Sequence, residues 1–303
     1  MLEVRENETN VGVERDRDAG GVCCAMPREP ADFKVNGNCS DGEGRPLLTV
    51  VVPLFNEAES IERLAGALGK LRCDLAGKYA TQWLFVDDGS RDETCATIER
   101  QFAGDPHARL VRHAANRGIA AAIATGIAEA PSELVASIDA DCTYEPVELA
   151  RLLRRLEDDV AMVVASPYHP AGGVEGVPGW RLAISRLASR LYGLVLRTQL
   201  HTYTSCFRVY RRSAVMGLPV RRSGFVGVVE LLWQVDRRGG RIVECPAVLS
   251  VRKTGQSKMR VARTALAHLA LLSEIAWRRF WKGSASDQGG ERSSPYSHCL
   301  GKT

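Results

Sequence analysis

Three groups of carboxylates recur along the first half of this 303-residue chain, each just after an apolar run rich in β-branched residues. Glu57 follows VVVPLFN, Asp87 and Asp88 follow WLFV, and Asp139 and Asp141 follow VASI. An Asp-x-Asp pair at a strand end can place two oxygens on one divalent cation, leaving its other positions to substrate phosphate oxygens. Taken singly, any of these groups could as well cap a helix or close an Asx turn. Three in sequence, each at the same end of a strand, favour a shared site. Other chemistries lack their signatures: no GxGxxG follows the first strand, and no GxxxxGK[ST], GxSxG or HExxH occurs. His113, His169 and His201 could act as bases, but a lone histidine is more often structural or on the surface.

The elements that must carry these carboxylates are legible as alternating patterns. LLTVVVPL, QWLFVDD, ARLVRH, ELVASIDAD and VAMVVAS read as strands. AESIERLAGALGKL, DETCATIERQFAG, GIAAAIATGIAEA and PVELARLLRRLED read as the helices between them. The order β-α-β-α-β-α-β-α-β predicts an α/β fold with an open, mostly parallel sheet covered by helices on both faces. Ligands of such sheets bind beyond the carboxyl ends of the strands. Asn56, Glu57, Asp87, Asp88, Asp139 and Asp141 all fall there. Past residue 180 the alternation loosens. WRLAISRLASRLYGLVLR reads as an amphipathic helix, SCFRVYRR as a short strand, VVELLWQVDRRG as a helix and RIVECPAVLSVR as a strand. VARTALAHLALLSEIAWRRFW reads as a last helix, too interrupted by Arg263, His268 and Glu274 to span a bilayer comfortably.

The net charge of +4 hides a division. Residues 1–180 hold 18 basic and 30 acidic side chains, a balance of −12, whereas residues 181–282 hold 20 and 4, a balance of +16. The two halves are therefore expected to meet different partners. A hydrophobic fraction of 45% argues against a wholly disordered chain and against a multi-span membrane protein. Nine scattered cysteines without a CxxC pair suggest a reducing cytoplasm rather than a disulfide framework. The first residues carry no apolar run of a secretory leader. Residues 1–46 and 283–303 read as flexible tails around a folded segment, 47–282.

With these residues in view, the chain resembles an inverting family 2 glycosyltransferase of the GT-A fold. More narrowly, it is similar to the dolichol- and polyprenol-phosphate mannosyl- and glucosyltransferases. VVVPLFNEAESI resembles VxVPxYNExxxI, WLFVDDGSRDET resembles VDDGSxDxT, and NRGIAAAIATGI resembles NxGxxxAxxxG. IDADCTYEP resembles DADxQxxP, SCFRVYRRS resembles TSGFRxYRR, and VRKTGQSKM resembles RxxGxSK. The resemblance implies that Pro53, Phe55, Glu57, Asp87 and Asp88 hold the nucleotide, and that Asp139 and Asp141 bind Mg2+ or Mn2+ with the sugar diphosphate. It implies that Arg181, Ser185, Arg208, Arg252, Ser257 and Lys258 line the acceptor and phosphate side, with Arg181 and Arg252 closest to the chemistry. Five positions depart from the family's usual residues: Phe55 for Tyr, Thr143 for Gln, Pro167 for Arg, Thr202 for Asp and Cys206 for Gly.

The implied reaction moves a hexose, mannose or glucose, from GDP-mannose or UDP-glucose to polyprenyl or dolichyl phosphate. Residues 47–180 would form the nucleotide-sugar half, 181–260 the acceptor half, and 261–282 a helix on the membrane surface. The enzyme would lie on the cytoplasmic membrane face. Trp277, Phe280 and Trp281 interleaved with Arg278, Arg279 and Lys282 suit an interfacial helix. Nucleic acid is a weaker partner for the basic charge, because no nucleic-acid motif accompanies it. Two alternatives stay open: the same fold acting on a glycan or soluble acceptor, and a nucleotide-sugar-binding protein without turnover.

Overall fold

The computed structural model describes residues 44–250 and 261–280. Arg252, Ser257 and Lys258 lie outside the described residues, as do Trp281, Lys282 and nearly all of both expected tails.

The first half alternates as its pattern predicts. Strand β1 (Leu47–Leu54) leads to helix α1 (Ile61–Leu75), β2 (Ala80–Asp87) to α2 (Thr94–Gln101), and β3 (Ala108–Arg112) to α3 (Ile119–Glu129). Then come β4 (Leu134–Ser137), the short helix α4 (Leu149–Leu153) and β5 (Val160–Ser166). In α1 the residues Ile61, Leu64, Leu68, Leu71 and Leu75 recur every three or four positions and are all buried. Each such side chain contributes about 1.5–3 kcal/mol by leaving water. Helix α3 owes its small residues to close packing on β1. A Cβ added at Gly126 would sit 2.2 Å from Val51 Cγ1.

The second half supplies β6 (Gly173–Glu175), α5 (Gly179–Val195), β7 (Arg208–Arg211), the single turn α6 (Arg212–Val215), α7 (Gly224–Arg237), β8 (Arg241–Pro246), β9 (Val248–Ser250) and α8 (Val261–Phe280). The seven-stranded sheet runs β3-β2-β1-β4-β7-β5-β8. Its neighbours are parallel except β7, which is antiparallel to both β4 and β5. Two apolar cores cover its faces. One includes Ile123, Tyr192, Leu232 and Leu271, and the other Leu64, Leu68, Trp83 and Leu149. The stretch RIVECPAVLSVR is not one strand: β8 ends at Pro246, and β9 leaves the large sheet to pair with β6. The helix expected over PVELARLLRRLED is shorter, ending at Leu153.

Parallel pairing aligns the strand ends that matter. Leu54 of β1 stands beside Asp87 of β2, and Val51 stands beside Ser137 of β4. The carboxylates that follow β1, β2 and β4 therefore collect along one edge of the sheet.

Candidate active site

The turns beyond β1, β2 and β4 are tightly specified. Asn56 and Cys142 have left-handed backbone (φ 52° each), the region that residues other than glycine seldom enter. Asn56 N donates to Ser90 Oγ at 2.8 Å, and Asn56 Oδ1 accepts from Arg91 N at 2.8 Å. Glu57 N donates to Thr94 Oγ1 at 2.8 Å. These bonds stitch the turn after β1 to the turn after β2.

Asp87 and Asp88 separate in role. Asp87 accepts Ser90 N at 3.3 and 3.2 Å, so it closes its own turn. It lines neither of the two cavities that Asp139 and Asp141 border. Asp88 is 2% exposed and reaches across to the loop before α3. It accepts Arg117 N at 2.9 Å, Gly118 N at 2.7 Å and bonds His113 Nδ1 at 2.8 Å. His113 Nε2 pairs with Thr125 Oγ1 at 3.0 Å. This histidine thus anchors the loop rather than facing a cavity.

A pocket of about 230 Å³ opens between these turns. Pro53, Phe55, Glu57 and Asp88 line it together with Asn116, Gly118, Asp139 and Asp141. Asp139 and Asp141 also line a second, largely apolar cavity of about 510 Å³. That cavity is walled by Tyr144, Pro167, Trp180, Arg181, Ile184, Ser185 and Leu187, and by Thr264, His268 and Leu269 of α8. The aspartate pair therefore stands where the two spaces meet. Its oxygen-only donors suit a hard cation such as Mg2+ or Mn2+. Among the described residues no three His, Cys, Asp or Glu side chains converge on one point. A cation here would take protein ligands from Asp139 and Asp141 and complete its shell with phosphate oxygens and water.

Among the described residues, the apolar cavity offers one clear anion partner. The Arg181 guanidinium lies 5.2 Å above the Trp180 ring, at the cavity wall. Arg208 does not join it, contrary to the sequence expectation. It is 0% exposed, and its guanidinium donates to main-chain carbonyls of Ser205 (2.7 Å), Val228 (2.9 Å) and Tyr203 (2.7 Å). Its donors hold the 203–208 turn against α7. The departures Thr143, Pro167, Thr202 and Cys206 all line the apolar cavity. Thr202 Oγ1 is buried in a 2.9 Å bond with Ser166 Oγ. Burial pushes the Cys142 thiol up to about 11 and the Cys206 thiol well above its usual value, so neither is a thiolate nucleophile at neutral pH.

His201 is likewise taken up: Nδ1 bonds Glu244 Oε2 at 2.8 Å. Its ring meets His169 edge-on at 5.4 Å, and neither lines a cavity. Sequence reasoning missed Phe225, which lines both spaces, and the share of α8 in the wall of the apolar cavity. No motif marks Phe225; its place comes from where α7 begins.

The family model for glycosyl transferase family 2 matches residues 49–218, more than half of the chain and all of the carboxylate turns. The chain belongs to glycosyl transferase family 2. This family 2 chain is 30% identical to the polyprenol monophosphomannose synthase of Mycolicibacterium smegmatis over 69% of its length and 80% of the relative's. It is 28% identical to the undecaprenyl-phosphate mannosyltransferase of Micrococcus luteus, over 69% and 86%. Its fold matches the glucosyl-3-phosphoglycerate synthase of Mycobacterium tuberculosis, solved with Mn2+, uridine diphosphate and phosphoglyceric acid. The TM-score is 0.57 with 20% identity, covering 78% of each chain. The architecture is that of the GT-A glycosyltransferases.

Proposed function

We propose that this enzyme transfers a hexose, mannose or glucose, from a nucleotide sugar to a polyprenyl phosphate, with inversion at the anomeric carbon. The observation that carries this reading is the junction at Asp139 and Asp141. On one side a pocket that sets Glu57, Asp88 and Asn116 beside Pro53 and Phe55 suits a nucleoside diphosphate, and on the other a largely apolar cavity suits the isoprenoid end of a lipid phosphate. The names of the mannosyltransferase relatives support the same acceptor class.

In this reading Pro53, Phe55 and Glu57 cradle the base and ribose, while Asp88 keeps the 116–118 loop against them. Asp139 and Asp141 would hold Mg2+ or Mn2+, which when bound neutralises charge growing on the departing diphosphate. Arg181 and Ser185 orient the acceptor phosphate, arginine being suited to bidentate oxyanion contacts. An acceptor phosphate oxygen forms the bond to the anomeric carbon as the bond to the nucleoside diphosphate breaks. The nucleophile is already anionic, so no general base is required. This agrees with the occupied histidines His113 and His201.

The mouth of the cavity also supports work at a membrane surface. Trp180, Ile184, Leu187 and Leu194 follow one face of α5 and are exposed by 44–72%. Leu266, Leu269 and Trp277 do the same on α8, exposed by 52–68%. No helix among the described residues is long and apolar enough to cross a membrane. Two apolar stripes beside arginines suit a peripheral seat on anionic lipid.

The test is transfer of labelled hexose from GDP-mannose or UDP-glucose into solvent-extractable lipid, with undecaprenyl or dolichyl phosphate. Asp141→Ala is expected to lower the rate about a hundred-fold or more, as loss of a group that stabilises developing charge does. An Asp141→Ala enzyme as active as wild type would remove the metal assignment. Label found in a water-soluble product would move the acceptor to a soluble class.

A further inference from the structure

Phe225 shares with Asp139 and Asp141 the property of lining both the donor pocket and the acceptor cavity. It stands at the second position of α7, and the turn before it is held on three sides. The main chain is held by Glu230, a buried residue further along α7. Its Oε2 accepts Arg221 N at 2.9 Å and Arg222 N at 2.8 Å. The Arg222 side chain is held by α8: Nη2 donates to Glu274 Oε2 at 2.7 Å. Glu274 Oε1 in turn accepts Arg278 Nε at 3.0 Å and Nη2 at 2.9 Å, so its carboxylate is fixed from both ends.

The third side faces the donor loop. A Cβ at Gly118 would lie 2.7 Å from Gly224 N, so the two backbones touch where a side chain would not fit. Gly118 N is the group that donates to Asp88 Oδ2 at 2.7 Å. A run of direct contacts therefore leads from Glu274, on a helix of the acceptor wall, to Arg222, to the turn that aims Phe225, and to the donor loop. Isolated surface ion pairs contribute little. This one is partly buried, has three members, and ends on a turn with no other side-chain tie to α8 among the described bonds.

We propose that Glu274 is a positioning residue: through Arg222 it sets the turn that holds Phe225, and so ties the seating of α8 to nucleotide-sugar affinity. The inference rests on the donor reading above and adds a route between its two half-sites. Such coupling is a free energy shared by two sites, and a spatial chain of contacts needs a measured coupling to support it.

The experiment measures GDP and UDP binding in the presence of Mn2+ by titration calorimetry. It uses the full chain, its Glu274→Gln, Glu274→Asp, Arg222→Gln and Phe225→Ala variants, and Glu274→Gln combined with Phe225→Ala. Glu274→Gln and Arg222→Gln are each expected to weaken nucleotide binding about five-fold, the low end of site-to-site coupling. In the Phe225→Ala background Glu274→Gln is expected to have no further effect, because its route has been removed. Glu274→Asp should restore part of the loss. In turnover, the Glu274→Gln change should raise the donor KM more than it lowers kcat. Unchanged nucleotide affinity in Glu274→Gln, or an equal loss with and without Phe225, overturns the inference while leaving the donor site intact. A wild-type chain that binds neither nucleotide overturns the donor reading and this inference together.

Discussion

At the scale of single residues, the four aspartates that look alike in the sequence do three different jobs. Asp87 closes its own turn, Asp88 fastens a distant loop, and Asp139 and Asp141 face both cavities. Sequence spacing finds the group, because strand ends are legible, but not the division of labour, because that depends on which N–H groups the fold brings near. Arg208 makes the same point more sharply. Its motif match suggested an acceptor contact, yet its donors are spent on three buried carbonyls. Arg208→Lys cannot reproduce that fork. It is expected to destabilise the protein by about 2–3 kcal/mol, as leaving buried carbonyls without their charged donor does. A denaturant melt would read this as a shifted midpoint. An unchanged midpoint with a raised acceptor KM would return Arg208 to the acceptor site.

At the scale of elements, α5 and α8 join the site to its surroundings. The sequence located both helices, α5 as amphipathic and α8 as suited to an interface. It did not reveal that they pack on one another beside the cavity, with apolar stripes that continue its wall. Leu194 and Leu266 are exposed by 72% and 68% and do not line the cavity, so they can be changed without touching the site. Leu194→Glu and Leu266→Glu are each expected to weaken binding to vesicles containing anionic lipid about ten-fold, from lost burial of one leucine. Nucleotide binding should not change. Co-sedimentation with vesicles measures the first and calorimetry the second. Equal sedimentation of both variants and wild type would mean that this face does not meet lipid.

Packing between elements also gives α8 a pH response. His268 lines the cavity, bonds the Tyr192 hydroxyl at 2.8 Å, and has its pKa lowered by burial from 6.5. A lowered histidine pKa means that the unfolded chain binds the proton more readily than the folded one. The folded state is therefore fully favoured above about 6.5, and stability falls as pH drops from there toward the lowered value. His268→Gln should flatten the fall in melting temperature between pH 7 and 5. A wild-type profile as flat as the variant's would contradict it. Glu274 acts in a lower window. Its pKa is lowered by the Arg222 hydrogen bond, so its contribution is present above about 4.5 and fades below it.

At the scale of the whole described molecule, the charge division near residue 180 does not divide the sheet. β7 and β8 come from the basic part, yet β7 lies between β4 and β5, and β8 completes the far edge. Basic and acidic parts meet in the larger cavity, which Arg181 lines together with Asp139 and Asp141. Local pattern was enough for the β-α alternation, the strand-end carboxylates and the family motifs. Each rests on side-chain period or on short spacing, which the chain carries in any context. The insertion of antiparallel β7, the pairing of β6 with β9 and the shared wall at Phe225 have no such local sign. They follow from long-range contacts between segments far apart in sequence, whose free energy exists once the two cores have closed around the sheet.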